Sequence, residues 1–172
     1  MQMSPGIRKL MLTVHVTASV GWIGAIAAYI ALNVPTYVSD DEQTVRAAYL
    51  MMEPVLRYAL IPLAAVALIT GIVQALGTPW GLVRHYWVTI SLALTAFAFV
   101  VLVLHLPAVE AMSAVAAEPT GDVDQLGGDL FHAVGGLVVL LVPLVLNIYK
   151  PRGMTRYGWR RAQDRRTTSP HT

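Results

Sequence analysis

Four long apolar runs, separated by short polar segments, dominate the hydrophobic pattern of this 172-residue chain. They cover residues 10–32, 54–76, 86–106 and 130–149. Each reaches the roughly 20 apolar residues that a helix needs to cross the hydrocarbon core of a bilayer. The pattern predicts an all-α, polytopic membrane protein built as an antiparallel bundle of four transmembrane helices.

The ends of these helices are predicted from local signals. We expect Pro107 to end the third helix and Pro151 to end the fourth, because proline cannot donate the hydrogen bond that a continuing helix requires. The second helix is expected to begin before its apolar run, near Asp41, with Ser39 as the N-cap candidate.

The first run has a second interpretation, since Arg8 and Lys9 precede it as basic residues precede a secretory signal core. Its apolar length of roughly 22 residues exceeds the 7–15 residues of such a core. A retained transmembrane helix is therefore favoured over a cleaved signal peptide.

Composition agrees with a membrane location. Hydrophobic residues make up 56% of the chain and charged residues 13%, whereas soluble domains carry about 25% charged residues. The absence of cysteine excludes disulfides, thiolate metal sites and cysteine nucleophiles. We predict a membrane domain over residues 1–150 and a basic tail over residues 151–172, with the final TTSPHT disordered.

Charged residues divide unequally between the two ends of the predicted bundle. The N-terminal segment, the connection 77–85 and the residues from Lys150 onward hold ten of the twelve Lys and Arg residues and one acid. The connections 33–53 and 107–129 hold the other nine acids and a single basic residue, Arg46. Because Lys and Arg accumulate on the cytoplasmic side, both termini are predicted to be cytoplasmic.

The segment KPRGMTRYGWRRAQDRR, residues 150–166, interleaves seven Lys and Arg residues with Tyr157 and Trp159. Basic and aromatic residues together can bind nucleic acid, but a polybasic segment beside a membrane helix is more often an anchor to anionic lipids. We predict anionic lipids, and not nucleic acid, as the partner of the tail.

Histidines are the main candidates for functional residues in the spans. No Asp, Glu or Lys lies deep inside the spans, and Asp129 is expected at the water boundary. By the predicted orientation, His105 and His132 form a pair near the outer surface, and His15 with His85 forms a looser inner pair. Neutral imidazole can ligate haem iron or a transition metal.

Helix geometry limits how the outer pair can act. The third and fourth helices are expected to be neighbours, with axes about 8–10 Å apart. That spacing is tight for two imidazoles on opposite sides of an iron, and it better suits a direct hydrogen bond, a small metal ion or one-sided ligation. Gly135 and Gly136 follow His132 by one turn and suit either a flat macrocycle or, preferably, a closely packed neighbouring helix.

Four sequence segments, distributed over nearly the whole chain, resemble a group of uncharacterised bacterial four-span integral membrane proteins. They are HVTASVGWIGAIAAYIAL, RAAYLMMEPV, LGTPWGLVRHYWV and YKPRGMTRYGWRR. The resemblance implies a four-helix bundle in the bacterial plasma membrane and assigns no reaction. The phrase from His15 to Trp22-Ile23-Gly24 is similar to the opening helix of copper-resistance D-type proteins and of the membrane protoporphyrinogen oxidase family. Those bundles use histidine to handle haem or metal, so the resemblance nominates His15 as a ligand and carries over no catalytic residue.

Two hypotheses of function remain. In the first, the protein binds haem b, or acts as a redox-associated membrane component, through His15, His105 and His132, with Arg57 as the partner of a haem propionate. In the second it is a non-enzymatic component, such as a partner subunit or an envelope-stress protein, whose histidines are structural. It would then pack against another membrane protein or a second copy of itself. A histidine-dependent transporter is least favoured, because the middle of the third helix, SLALTAFAFVV, offers little polar path.

Overall fold

The computed structural model of the chain describes residues 3–167, with side chains through residue 163. The predicted disorder of TTSPHT falls almost entirely outside this part. The described residues contain no strand and 82% of them are helical, which confirms the all-α prediction. Its α-helices are α1 (Pro5–Asn33), α2 (Pro35–Val38), α3 (Glu42–Val55), α4 (Ile61–Gly77), α5 (Tyr86–Ala117), α6 (Leu130–Tyr149) and α7 (Arg156–Thr167).

Four helical stretches of this part of the chain are long and apolar enough to cross a membrane, as predicted. They are Pro5–Val38, Glu42–Gly77, Tyr86–Ala117 and Leu130–Tyr149. Around the bundle, α1 packs on α4 and α6, and α5 packs on the same two helices from the other side. The third and fourth spans are therefore neighbours, and α1 lies diagonally across from α5. This architecture is compatible with a multi-pass membrane protein.

Two of the predicted helix ends are wrong. Helix α1, whose apolar run starts at residue 10, begins at Pro5 with Ser4 as its N-cap. Pro107 does not end α5, which continues to Ala117 because its extension packs on α3 and buries Val109 completely. The N-cap of α3 is Asp41, whose side chain accepts a hydrogen bond from the Thr44 backbone nitrogen (3.2 Å), and not Ser39.

A π-helical segment, Leu56–Leu60, joins α3 to α4 inside the second span. Pro62 follows it and cannot donate a backbone hydrogen bond to residue 58, which favours the wider turn. The segment buries Leu56 and Leu60 in the bundle core. Its Arg57 pairs instead with Glu53 (2.5 Å) and with Glu110 of α5.

Arg46 of α3 joins the second span to the end of the third. Its guanidinium donates to the backbone carbonyl oxygens of Ala116 (3.2 Å), Glu118 (2.7 Å) and Gly121 (2.5 Å). It also pairs with the carboxylate of Glu42 (2.6 Å). The last carbonyls of a helix have no partner within the helix, so Arg46 acts as the C-terminal cap of α5.

The tail helix α7 is attached to the connection between α4 and α5. The backbone nitrogen of Thr155 donates to the carbonyl oxygen of Arg84 (2.9 Å), and the Thr155 hydroxyl accepts from the Gly158 nitrogen (3.1 Å). Gly158 packs so closely that a Cβ at this position would lie 2.4 Å from the Arg84 carbonyl oxygen. The tail is thus fixed against the basic end of the bundle.

We predict that Arg46→Gln destabilises the folded protein by about 2–3 kcal/mol, because the carbonyls at the end of α5 lose a charged donor. Thermal unfolding in detergent measures the effect, and amide hydrogen exchange should accelerate at residues 116–121. Arg8→Gln, at an exposed position near the start of α1, is the control. Equal unfolding temperatures for the two variants would contradict the capping role.

Candidate functional site

Asp129, at the N-terminus of α6, is the centre of the candidate site. We expected it at the water boundary of the span, and the structure buries it within the protein, where only 2% of the residue is exposed. Helix α1 accounts for the burial: the side-chain oxygen of Asn33 accepts a hydrogen bond from the Asp129 backbone nitrogen (2.9 Å). Asn33 is itself fixed by its amide, which donates to the carbonyl oxygen of Tyr29 (2.9 Å).

Three side chains from three helices converge on the Asp129 carboxylate. The Tyr29 hydroxyl donates to Oδ2 (2.6 Å). On the other oxygen, Oδ1, His105 Nε2 lies at 2.7 Å and His132 Nδ1 at 3.1 Å. We refer to Tyr29, Asn33, His105, Asp129 and His132 as the Asp129 cluster.

The two imidazoles of the cluster lie on the same side of Asp129. Their ring centroids are 4.1 Å apart and their planes differ by 23°, so the rings are stacked. The structure therefore brings together His105 and His132, the pair that the sequence placed at one depth. Stacked rings leave no space for an iron atom between them.

The other candidate ligand, His15, and the expected propionate partner, Arg57, lie elsewhere. His15 Nδ1 is 3.0 Å from the carbonyl oxygen of Ala67 and 3.1 Å from the Thr70 hydroxyl, both on α4. Arg57 pairs with two carboxylates and does not line the cavity described below. Neither residue contacts the Asp129 cluster through any hydrogen bond or ion pair between described residues.

No hydrogen bond or ring contact between described residues joins the two histidines of the inner pair, His15 and His85. His85 Nδ1 lies 2.9 Å from the carbonyl oxygen of Trp80, and its ring packs edge-on against the Trp80 indole. His15 packs against Gly71 instead, where a Cβ would lie 3.2 Å from the imidazole. Both histidines thus have partners within their own part of the bundle.

An apolar cavity of about 270 Å³ extends from the Asp129 cluster into the bundle. Its walls come from α1, the π-helical segment, α5 and α6. The exposed residues among them lie on α5 and α6, namely Phe97, Val101, Phe131, His132 and Gly135, so the cavity opens to the surface on the side of these two helices.

Gly135 and Gly136 line this cavity. We expected them to accommodate a closely packed neighbouring helix, and this is wrong: a Cβ at either position would meet no heavy atom within 4 Å. Their lack of side chains leaves space unfilled beside His132, half of whose side chain is exposed.

Sequence reasoning did not identify Tyr29, Asn33 and Asp129 as site residues. Two spacings could have indicated them. Asp129 precedes His132 by three residues, and Tyr29 precedes Asn33 by four, so each pair lies on one face of a helix. Only the packing of α1 on α6 brings the two pairs together.

The fold and the site define a class: an all-helical bundle of four membrane-length spans with a buried carboxylate held by two histidines and a tyrosine at one end. No protein-family model, curated protein or solved structure matches the chain. The resemblance to bacterial four-span membrane proteins and to haem-handling bundles therefore stays a prediction.

We predict that Asp129→Asn destabilises the protein by about 2–4 kcal/mol, because a buried donor replaces an oxygen that accepts hydrogen bonds. Thermal unfolding in detergent measures the loss. Asp124→Asn, at an exposed acid in the same connection, is the control. If both variants unfold at the same temperature, Asp129 does not hold the helices together.

Proposed function

We propose that the protein is a multi-pass membrane protein that binds a transition-metal ion at the Asp129 cluster, on the outer side of a bacterial plasma membrane. One observation carries the proposal: a ring nitrogen each of His105 and His132 and a carboxylate oxygen of Asp129 lie within 4.8 Å of one another. The orientation rests on the cytoplasmic bias of Lys and Arg, which favours the end that carries the tail as the cytoplasmic one.

The donor set suits a borderline metal ion. Two imidazole nitrogens and one carboxylate oxygen are ligands that Zn²⁺, Cu²⁺ and Fe²⁺ accept. Ligand atoms about 2.0–2.1 Å from a tetrahedral ion lie roughly 3.3 Å apart. The His105–Asp129 and His132–Asp129 distances of 2.7 and 3.1 Å are shorter by a few tenths of an ångström. A small outward shift of the two rings would therefore accommodate the ion, and the fourth position would stay open.

The surroundings of Asp129 support this use. Ligands of metal ions are commonly oriented by hydrogen bonds to their other polar atoms. Tyr29 holds the second carboxylate oxygen of Asp129, and Asn33 holds its backbone nitrogen. The connections 33–53 and 107–129 hold eight further acids, which would attract cations to this end of the bundle.

Haem b is the second candidate, and the open wall formed by Gly135 and Gly136 beside His132 favours it. A flat macrocycle could lie against this glycine backbone with His132 as a single axial ligand. However, the cavity volume of about 270 Å³ lies just below the roughly 300–1,000 Å³ of sites for drug-sized ligands. A single ion therefore fits the described geometry better.

We predict that the purified protein binds about one Zn²⁺ or Cu²⁺ ion per chain, measured by equilibrium dialysis and elemental analysis. His105→Gln and His132→Gln should each weaken binding by more than about 100-fold, because each removes a ligand. His15→Gln and His85→Gln are matched controls that should bind as the wild type does.

Two other outcomes have definite meanings. If all four histidine variants bind the ion equally, the metal site is contradicted. The histidines would then be structural, as expected of a non-enzymatic membrane component. Protein supplemented with haem could instead show a Soret band that His15→Gln retains and His132→Gln loses. In that case haem b, and not a metal ion, would be the ligand of the site.

A second proposal concerns α7, which we infer to lie on anionic lipids at the cytoplasmic surface. Tyr157 and Trp159 are 48% and 59% exposed although the helix is attached to the bundle. Arg160 and Arg161 are exposed on the same helix. Aromatic side chains favour the membrane interface, and each nearby Lys or Arg contributes about 1 kcal/mol of attraction to an anionic surface.

We predict that amide exchange in α7 slows when the protein is moved from phosphatidylcholine nanodiscs to nanodiscs containing phosphatidylglycerol. The double variant Arg160→Gln/Arg161→Gln should lose most of this difference, because two of the attracting charges are gone. Arg8→Gln/Lys9→Gln is the control at the other basic segment. Exchange that does not depend on lipid charge would contradict the lipid contact.

A further inference from the structure

One residue that lines the cavity carries a buried polar group without a hydrogen-bond partner in the described part of the chain. Trp22 of α1 lines the cavity and is only 3% exposed, and its indole N–H has no hydrogen-bond partner among the described residues. Nearly all buried N–H groups in proteins are paired, and an unpaired one calls for an explanation. An acceptor supplied by a bound molecule is such an explanation.

The position of Trp22 in α1 limits where that acceptor can come from. Trp22 precedes Asn33 by 11 residues, or roughly 16 Å of helix, and follows Pro5 by 17 residues, or roughly 25 Å. With a hydrocarbon core about 30 Å thick, this position lies well inside the membrane. The ester carbonyls of phospholipids lie near the surface, so the acceptor must belong to a molecule that dissolves in hydrocarbon.

The lining of the cavity selects a neutral acceptor. No Lys or Arg is among the residues that line it, so a carboxylate or phosphate would be buried there without a cation. A neutral carbonyl oxygen can accept from Trp22 without that cost. The aromatic residues Phe97 and Phe131 and the bare backbone of Gly135 and Gly136 offer surfaces against which a flat ring can lie.

The cavity also has polar groups at two separated places. Trp22 lies two turns along α1 from Tyr29, roughly 10 Å, and Tyr29 belongs to the Asp129 cluster. His132, at the cluster, also lines the cavity. A ring with two opposed carbonyls can direct one toward Trp22 and the other toward the cluster.

We infer that this cavity binds a neutral, lipid-soluble carbonyl compound of the quinone class, with a ring carbonyl accepting the Trp22 indole N–H. Its size is adequate, because an apolar cavity of about 150 Å³ already holds benzene and this one measures about 270 Å³. The inference rests on Trp22 and the lining, and it does not require a metal ion at the Asp129 cluster.

The test is calorimetric titration of the purified full chain in detergent with tetramethyl-p-benzoquinone, using empty micelles as the baseline. The hydrocarbon tetramethylbenzene, which has the same shape without the carbonyls, is titrated in parallel. We expect the quinone to bind and the hydrocarbon to bind at least about threefold more weakly, since it cannot accept the N–H.

Substitutions then locate the binding. Trp22→Phe should weaken quinone binding about three- to tenfold, because one hydrogen bond is lost while the aromatic volume is largely kept. Trp87→Phe is the control, since Trp87 is also buried but does not line the cavity. Gly136→Leu should abolish binding by filling the open space that a Cβ enters.

Three outcomes would overturn the inference. The first is the absence of quinone binding above the micelle baseline. The second is equal binding of quinone and hydrocarbon, as expected of a site for lipid chains, and the third is equal quinone binding by Trp22→Phe and Trp87→Phe. Ion binding is measured on the same samples, and Trp22→Phe should retain it. Failure of the metal site and failure of the quinone site are therefore distinguishable.

Discussion

A buried carboxylate at one end of the bundle is the constraint on which the arrangement of the helices depends. Asp129 is 2% exposed, and burying a carboxylate costs several kcal/mol unless donors surround it. Helix α1 supplies the Tyr29 hydroxyl, α5 supplies His105, and α6 supplies His132, while Asn33 of α1 accepts a hydrogen bond from the Asp129 backbone nitrogen. Because each donor must reach the same group, the axial positions of these three helices are fixed relative to one another. Apolar packing in a lipid environment would fix them less strictly, since lipid tails are as apolar as the side chains.

The same constraint accounts for the cavity. Asp129 draws both imidazoles toward the N-terminus of α6, so their stacked rings fill the end of the bundle. One turn deeper, Gly135 and Gly136 add no side chain to the space between α1, α5 and α6. Larger residues there would fill it, as the buried Leu140 does further along α6. The cavity is thus a property of the glycine pair, with a polar end made by the cluster and an apolar interior.

The sequence predicted the parts of the fold that depend on local pattern. Four apolar runs gave the four spans, and short connections gave the neighbouring third and fourth helices. The pairing of His105 with His132 followed from their equal depth. The continuation of α5 past Pro107 could not be predicted, because packing on α3 and the cap from Arg46 offset the loss of one hydrogen bond. The burial of Asp129 could not be predicted either, since it depends on Asn33, 96 residues away along the chain.

The two proposed sites would be reached from different phases. The Asp129 cluster lies at the end of the bundle next to the acidic connections, so a cation would arrive from water, attracted by their carboxylates. The cavity opens between exposed apolar residues of α5 and α6, Phe97 and Phe131 among them, so a hydrocarbon-soluble molecule would arrive from the lipid.

His132 is common to both proposed sites, because it belongs to the Asp129 cluster and lines the cavity. An ion held by His132 would therefore lie beside any ring bound in the cavity, and occupation of one site should alter the affinity of the other. Since binding free energies are reciprocal, the ion would change quinone affinity by the same factor as quinone changes ion affinity.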